Sequence, residues 1–140
     1  MKSTAGILAA ILILSGLSGA QLLSSSRIAT QVPFEFVVAN EIVPAGQYVL
    51  QPATMGNTIL SLRNARSKVN IFIPVSQDEI RKPAGSYALV FRQYGDQYFL
   101  SAMKLQGSKI VYRLPQSKAE VELRAQNVPA SERILLALLQ

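Results

Sequence analysis

In "TQVPFEFVVAN", Val32, Phe34, Phe36 and Val38 fall on every second position, with Pro33, Glu35 and Val37 between them. A period of two sends alternate side chains to opposite faces, so this stretch predicts a half-buried strand. Pro33 has no N–H to give to a ladder, which predicts an edge position for that end. Glu35 falls opposite the apolar row and is expected to be solvated. Six further runs read as strands: "QYVLQP", "TILSLR", "VNIFIPV", "YALVFRQ", "QYFLSAMKL" and "KIVYRL". They are rich in branched and aromatic residues and are separated by turn residues. The turns fall at Val43–Gly46 ("VPAG"), Gly56–Asn57, "NARSK" and "QGSK", with "SQDEIRKPAGS" as a longer connection.

The pattern changes near the C-terminus. Ser117 precedes Glu120 by three residues, the spacing of a capping box, and Pro115 stands just before it. A short helix near residues 116–126 follows, with limited apolar surface from Leu114, Val121 and Leu123. The segment 132–139 is apolar at Ile134, Leu135, Leu136, Leu138 and Leu139. Periodicity cannot separate strand from helix over so short a run, and a strand returning to the sheet is expected. Left exposed, it would form a sticky patch. The fold class is therefore all-β and mainly antiparallel, with 7–8 short strands in a sandwich or small barrel and one short C-terminal helix.

Gly95-Asp96 separates two alternating runs. A Gly-X pair there predicts a two-residue type II′ hairpin with Tyr94 and Gln97 flanking it. The aromatics around it read first as cross-strand packing. The second reading is a surface platform of Arg92, Tyr94, Asp96 and Tyr98 for a ring-bearing or sugar ligand. "PAGQYVL" at Pro44–Leu50 recurs as "PAGSYAL" at Pro83–Leu89. The flanks do not match, so the echo reads as two uses of one turn, each launching a strand whose tyrosine and leucine share a face.

The first twenty residues carry Lys2, an apolar run from Ala5 to about Leu17, and small residues Ser18 and Ala20 before Gln21. That is the layout of a secretory signal peptide, too short for a spanning helix. It predicts residues 1–20 as signal, 21–31 as a flexible segment, and 32–140 as one domain, exported to the periplasm or the extracellular space. The mature chain is then not an integral membrane protein. Strands of six or seven residues are also short for an outer-membrane barrel.

The chain has no cysteine and no histidine. Cys–His and Ser–His catalysis and the usual zinc ligand sets are thereby excluded. The eight acids show no calcium-loop spacing. No cofactor, metal or catalytic residue is expected. Pairs such as Glu35 with Glu41 or Asp78 with Glu79 are the nearest approach to an acid–base couple, and an enzyme is the weakest reading. The net charge of +6 is compatible with an anionic envelope polymer, a glycan or a protein partner. Arg63, Arg66 and Lys68 form its one small cluster. No basic stripe suggests nucleic acid. The leading expectation is an exported, non-enzymatic β-domain that works by binding or structural association. The alternative is a carrier of a small apolar ligand, with Phe34, Phe36, Phe72, Tyr87 and Phe91 lining a barrel-like interior.

"VPFEFVVANEIVPAGQYVL", "LVFRQYGDQYFLSAM" and "LPQSKAEVEL", in that order, resemble a family of small exported bacterial β-rich proteins with a VPF-x-F, PAG-x-Y, F-x-x-YGD-x-YFL pattern. The match runs from about Val32 to Arg124, and Tyr94–Leu100 is its most specific part. The resemblance implies export and a compact β-rich domain, and implies no activity. That family often has histidine where Arg92 stands here, and an acid and a tryptophan where Ala102 and Lys104 stand. A site built on those groups would be missing from this chain.

Overall fold

The computed structural model describes residues 27–139, and the signal peptide expected at residues 1–20 lies outside them. The strands are β1 (Ile28–Val32), β2 (Phe36–Val38), β3 (Glu41–Val43), β4 (Gly46–Pro52), β5 (Ile59–Asn64), β6 (Val69–Pro74), β7 (Ser76–Glu79), β8 (Ala88–Tyr94), β9 (Gln97–Lys104) and β10 (Ile110–Arg113). A helix, α1 (Lys118–Ala125), then leads to β11 (Ser131–Leu136) and β12 (Leu138–Leu139). They form two sheets in a sandwich-like arrangement without a closed barrel. The five-stranded sheet runs β12-β1-β4-β5-β6, and the seven-stranded sheet runs β11-β8-β9-β10-β7 with β2 and β3 attached to β9. Every pairing is antiparallel except a single parallel bridge, Val37–Phe99.

The alternation read from the first stretch survives, but the strand does not. Val32, Phe36 and Val38 are buried and Glu35 is exposed, as the period of two requires. The ladder stops at Val32, paired with Gly46, and the chain leaves for the other sheet at Pro33. Pro33 therefore marks a change of sheet rather than an edge strand. The first strand also begins at Ile28, inside the segment expected to be flexible, because Ile28 is fully buried between Leu50 and the returning tail.

β7 is one of the strands that pattern reading misses. "SQDE" has no apolar alternation and all four residues are exposed. It is held by the ladder to β10 and by an ion pair between Asp78 and Arg113. β3 was missed for another reason. The residues between β2 and β3, Ala39 and Asn40, both take positive φ, the signs of a type I′ hairpin without its usual glycine.

The core lies between the sheets. Ile28, Tyr48, Leu50, Leu60, Leu62 and Ile73 from one meet Phe36, Leu89, Phe91, Leu100 and Met103 from the other. Phe36 packs edge-to-face on Tyr48 at 5.1 Å and on Phe91 at 5.3 Å, joining the two layers. Of the five aromatics expected inside, Phe36 and Phe91 are fully buried, and Phe34 and Tyr87 are half-buried at the margin. Phe72 points outward from β6 instead, since its neighbours Ile71 and Ile73 take the inward positions. The two Pro-Ala-Gly segments are not equivalent. The first enters β4, where a Cβ on Gly46 would stand 2.7 Å from Asn64 Nδ2. The second sits in the loop before β8, with open space around Gly85.

The tail is a strand, as expected, and it serves both sheets. β11 extends the seven-stranded sheet beside β8, Ala137 donates its N–H to Tyr87 O, and β12 pairs with β1. Leu135 and Ala137 turn inward, and Ile134, Leu136 and Leu138 are largely exposed. No described helix is long and apolar enough to cross a membrane.

Candidate functional site

The β8–β9 hairpin forms as its sequence predicts. Tyr94 pairs with Gln97, and Gly95 takes φ +60° while Asp96 keeps a negative value, the signs of a type II′ turn. The ladder then slips by one residue. Val90 faces Ala102 and Phe91 faces Leu100, so Ser101 is an unpaired bulge residue, and its Oγ donates to Val90 O at 3.1 Å. Both faces of this hairpin are covered. Leu89, Phe91, Leu100 and Met103 enter the main core, while Val90 and Ala102 join Val111 and Ile80 on the other side.

The pleat separates the four residues expected to make one platform, since Tyr98 pairs with Gln93 and not with Tyr94. Arg92 and Tyr94 face α1; Asp96 and Tyr98 do not. Tyr98 stacks on Phe34 with ring centroids 3.7 Å apart, and Phe34 meets Phe91 edge-on at 5.0 Å. Asp96 and Tyr98 line a shallow hollow of about 320 Å³ with Glu35, Phe36 and Ile42. Packing accounts for the aromatics here: each ring lies against another ring or the core.

On the α1 side, Glu120 is 2% exposed, and its Oε2 accepts a hydrogen bond from Tyr94 Oη at 2.9 Å. Arg92 Nε lies 2.9 Å from the same oxygen, an ion-pair contact whose N–H is not aligned for a hydrogen bond. The capping box is half formed. Ser117 Oγ accepts from Glu120 N at 3.2 Å, but the Glu120 carboxylate turns to the hairpin. Asn40 Oδ1 caps a second N–H, that of Lys118, at 2.8 Å. Burial raises the Tyr94 phenol above its ordinary 10.0, and the hydrogen bond and charge of Glu120 add to the rise. Arg124 and Arg92 oppose it. Chemically this cluster is a clamp. It fixes α1 to the hairpin, and its carboxylate is spent on internal partners.

The basic cluster has a different character. Arg63 projects from the outer face of β5, since Leu62 and Asn64 on either side are buried. Arg66 and Lys68 follow in the turn to β6, where Lys68 takes φ +56°. Asn64 shapes the turn: its Oδ1 accepts the N–H of Arg66 at 3.0 Å and of Ser67 at 3.3 Å. Tyr48 supports it from below, its hydroxyl donating to Pro44 O at 2.5 Å. Burial raises the Tyr48 phenol above 10.0, and hydrogen bonds to Asn64 and Ser67 partly offset this.

Arg27 joins these three around a hollow of about 540 Å³ whose lining contains no carboxylate. None of the four cations has an ion-pair partner among the described residues. The surrounding sheet sharpens the contrast. β1, β4, β5, β6 and β12 contain no Asp or Glu at all, and none occurs between Glu41 and Asp78. All eight acids lie elsewhere, on the seven-stranded sheet, its connections and α1. Sequence reading found Arg63, Arg66 and Lys68 but missed Arg27. The acid-free run was legible all along, though its meaning depends on which strands share a sheet. No family model, curated protein or solved structure matches this chain.

Proposed function

We propose that this chain is an exported, non-catalytic binding domain that holds an anionic partner on the outer face of its five-stranded sheet. The observation that carries this is the hollow at the β5–β6 turn, where Arg27, Arg63, Arg66 and Lys68 converge without a carboxylate. Like charges gathered without internal partners repel one another and weaken the folded state, whereas an anion offsets the repulsion. Arg supplies planar, bidentate donors suited to phosphate, sulfate or carboxylate groups. A repeating polyanion fits better than a single ion, because the four cations are spread over β5, the turn that follows it and the residue before β1. The absence of histidine and cysteine and the internal use of Glu120 support a binding rather than a catalytic role. The signal-like N-terminus supports export.

The test is titration with polyphosphate of defined length, followed by isothermal calorimetry at several salt concentrations. Binding that weakens as salt rises is expected. Arg63→Gln/Arg66→Gln/Lys68→Gln should weaken it by at least about tenfold, each exposed charge contributing up to about 1 kcal/mol. Unchanged affinity in the triple variant would defeat the proposal.

A further inference from the structure

The outer face of the five-stranded sheet presents more than charge. Phe72 on β6 and Leu138 on β12 are 60% and 75% exposed and stand at its two lateral margins. Leu138 pairs with Ala29, Ala29 with Val49, Val49 with Arg63, and Arg63 with Asn70. Residues directly opposite in a ladder share a face, so one cross-strand row leads from the apolar margin to the basic turn. Phe72 follows Asn70 by two residues and falls on the same face. At about 4.8 Å per strand the row spans roughly 19 Å. Arg27 joins it two residues before Ala29.

A hydrated polyanion engages the cations and leaves the exposed phenylalanine and leucine in water. A bilayer surface satisfies both. Its anionic headgroups attract Lys and Arg, and the boundary with the acyl chains accepts apolar side chains. We propose that this face docks on an anionic lipid bilayer, with Phe72 and Leu138 entering the headgroup–acyl boundary and Arg27, Arg63, Arg66 and Lys68 on headgroup phosphates. This rests on the reading above of the face as an anion-binding surface, and names lipid as the partner. The contact is peripheral: a folded sheet lies on the membrane, and nothing in it needs to unfold.

The experiment is co-sedimentation of the protein, in the N-terminal form its host produces, with phosphatidylcholine vesicles containing phosphatidylglycerol. Pure phosphatidylcholine vesicles and polyphosphate run in parallel. Every variant keeps the same N-terminus, so any contribution from Ala5–Leu17 cancels in the comparison. Binding to the anionic vesicles and not to the neutral ones is expected. Phe72→Ser/Leu138→Ser should reduce vesicle binding at least about tenfold and leave polyphosphate binding unchanged. Arg63→Gln/Arg66→Gln/Lys68→Gln should reduce both. Both sites are on the surface, and circular dichroism checks that each variant is folded. Vesicle binding unaltered by Phe72→Ser/Leu138→Ser, or equal on neutral vesicles, overturns the lipid proposal. So does polyphosphate binding without vesicle binding, though it leaves the anion reading standing. Binding to neither probe removes both.

Discussion

Glu120→Gln separates the two jobs of one side chain. The helix cap survives, because it is the Glu120 backbone N–H that Ser117 Oγ accepts. The negative charge beside Arg92 and the carboxylate acceptor for Tyr94 do not survive. Arg92 is partly solvated, which limits the loss, so a destabilisation of about 1–3 kcal/mol is expected from urea unfolding. Tyr94 gives a prediction in pH. Its pKa is raised, so the folded chain keeps the phenolic proton at a pH where the unfolded chain has released it. Folding then takes up a proton, and stability falls as pH climbs from about 10 towards the folded value. Urea midpoints between pH 9 and 11 should drop less steeply in Tyr94→Phe than in the parent chain. At this scale the sequence was half legible. Ser117 and Glu120 stand at capping-box spacing and the cap is there. The carboxylate's partners lie on a hairpin far upstream in the chain, and no local spacing can report that.

Elements were easier to read where side chains alternate. The hairpin around Gly95-Asp96 has the turn its dipeptide demands, because positive φ is inexpensive only for glycine. Gly95→Ala should cost about 1 kcal/mol, measured by thermal or urea unfolding, with no clash to confuse the result since nothing lies within 4 Å of the added Cβ. The failures share a cause. "SQDE" became β7 through hydrogen bonds at an exposed edge, where burial leaves no mark on the residue pattern. "VPFEF" kept its alternation while changing sheets at Pro33, since alternation records which side faces the core and not which sheet supplies the ladder. The predicted platform splits through the pleat itself. Tyr94 pairs with Gln97 and Tyr98 with Gln93, so Tyr94 and Arg92 share one face and Tyr98 takes the other.

Across the whole molecule, charge follows architecture: the strands of one sheet are free of acids, and all eight lie on the other sheet, its connections and α1. The export half of the proposal has its own check. Intact mass of the protein recovered from its host should correspond to a chain beginning at Gln21. A mass retaining Met1 would remove the signal-peptide reading and leave the sheet-face chemistry untouched. Sequence alone bounded the fold class and the missing chemistries. It could not show that Arg27 joins the Arg63–Lys68 cluster, because Arg27 reaches that hollow only through the β1–β4–β5 pairing.

The closing strand pair has a consequence in time. β11 completes the edge of one sheet and β12 the edge of the other, and Thr30 Oγ1 donates to Leu136 O between them. The residues that lock the first strand in place are thus synthesised long after it. Until they emerge, Ile28 and Leu89 each lack a neighbouring strand, and the two layers have no seam on that side. Completion of the fold is thereby delayed: the early segments cannot finish their tertiary structure while β11 and β12 are still on the ribosome. Only when β11 and β12 arrive does the sandwich close around them.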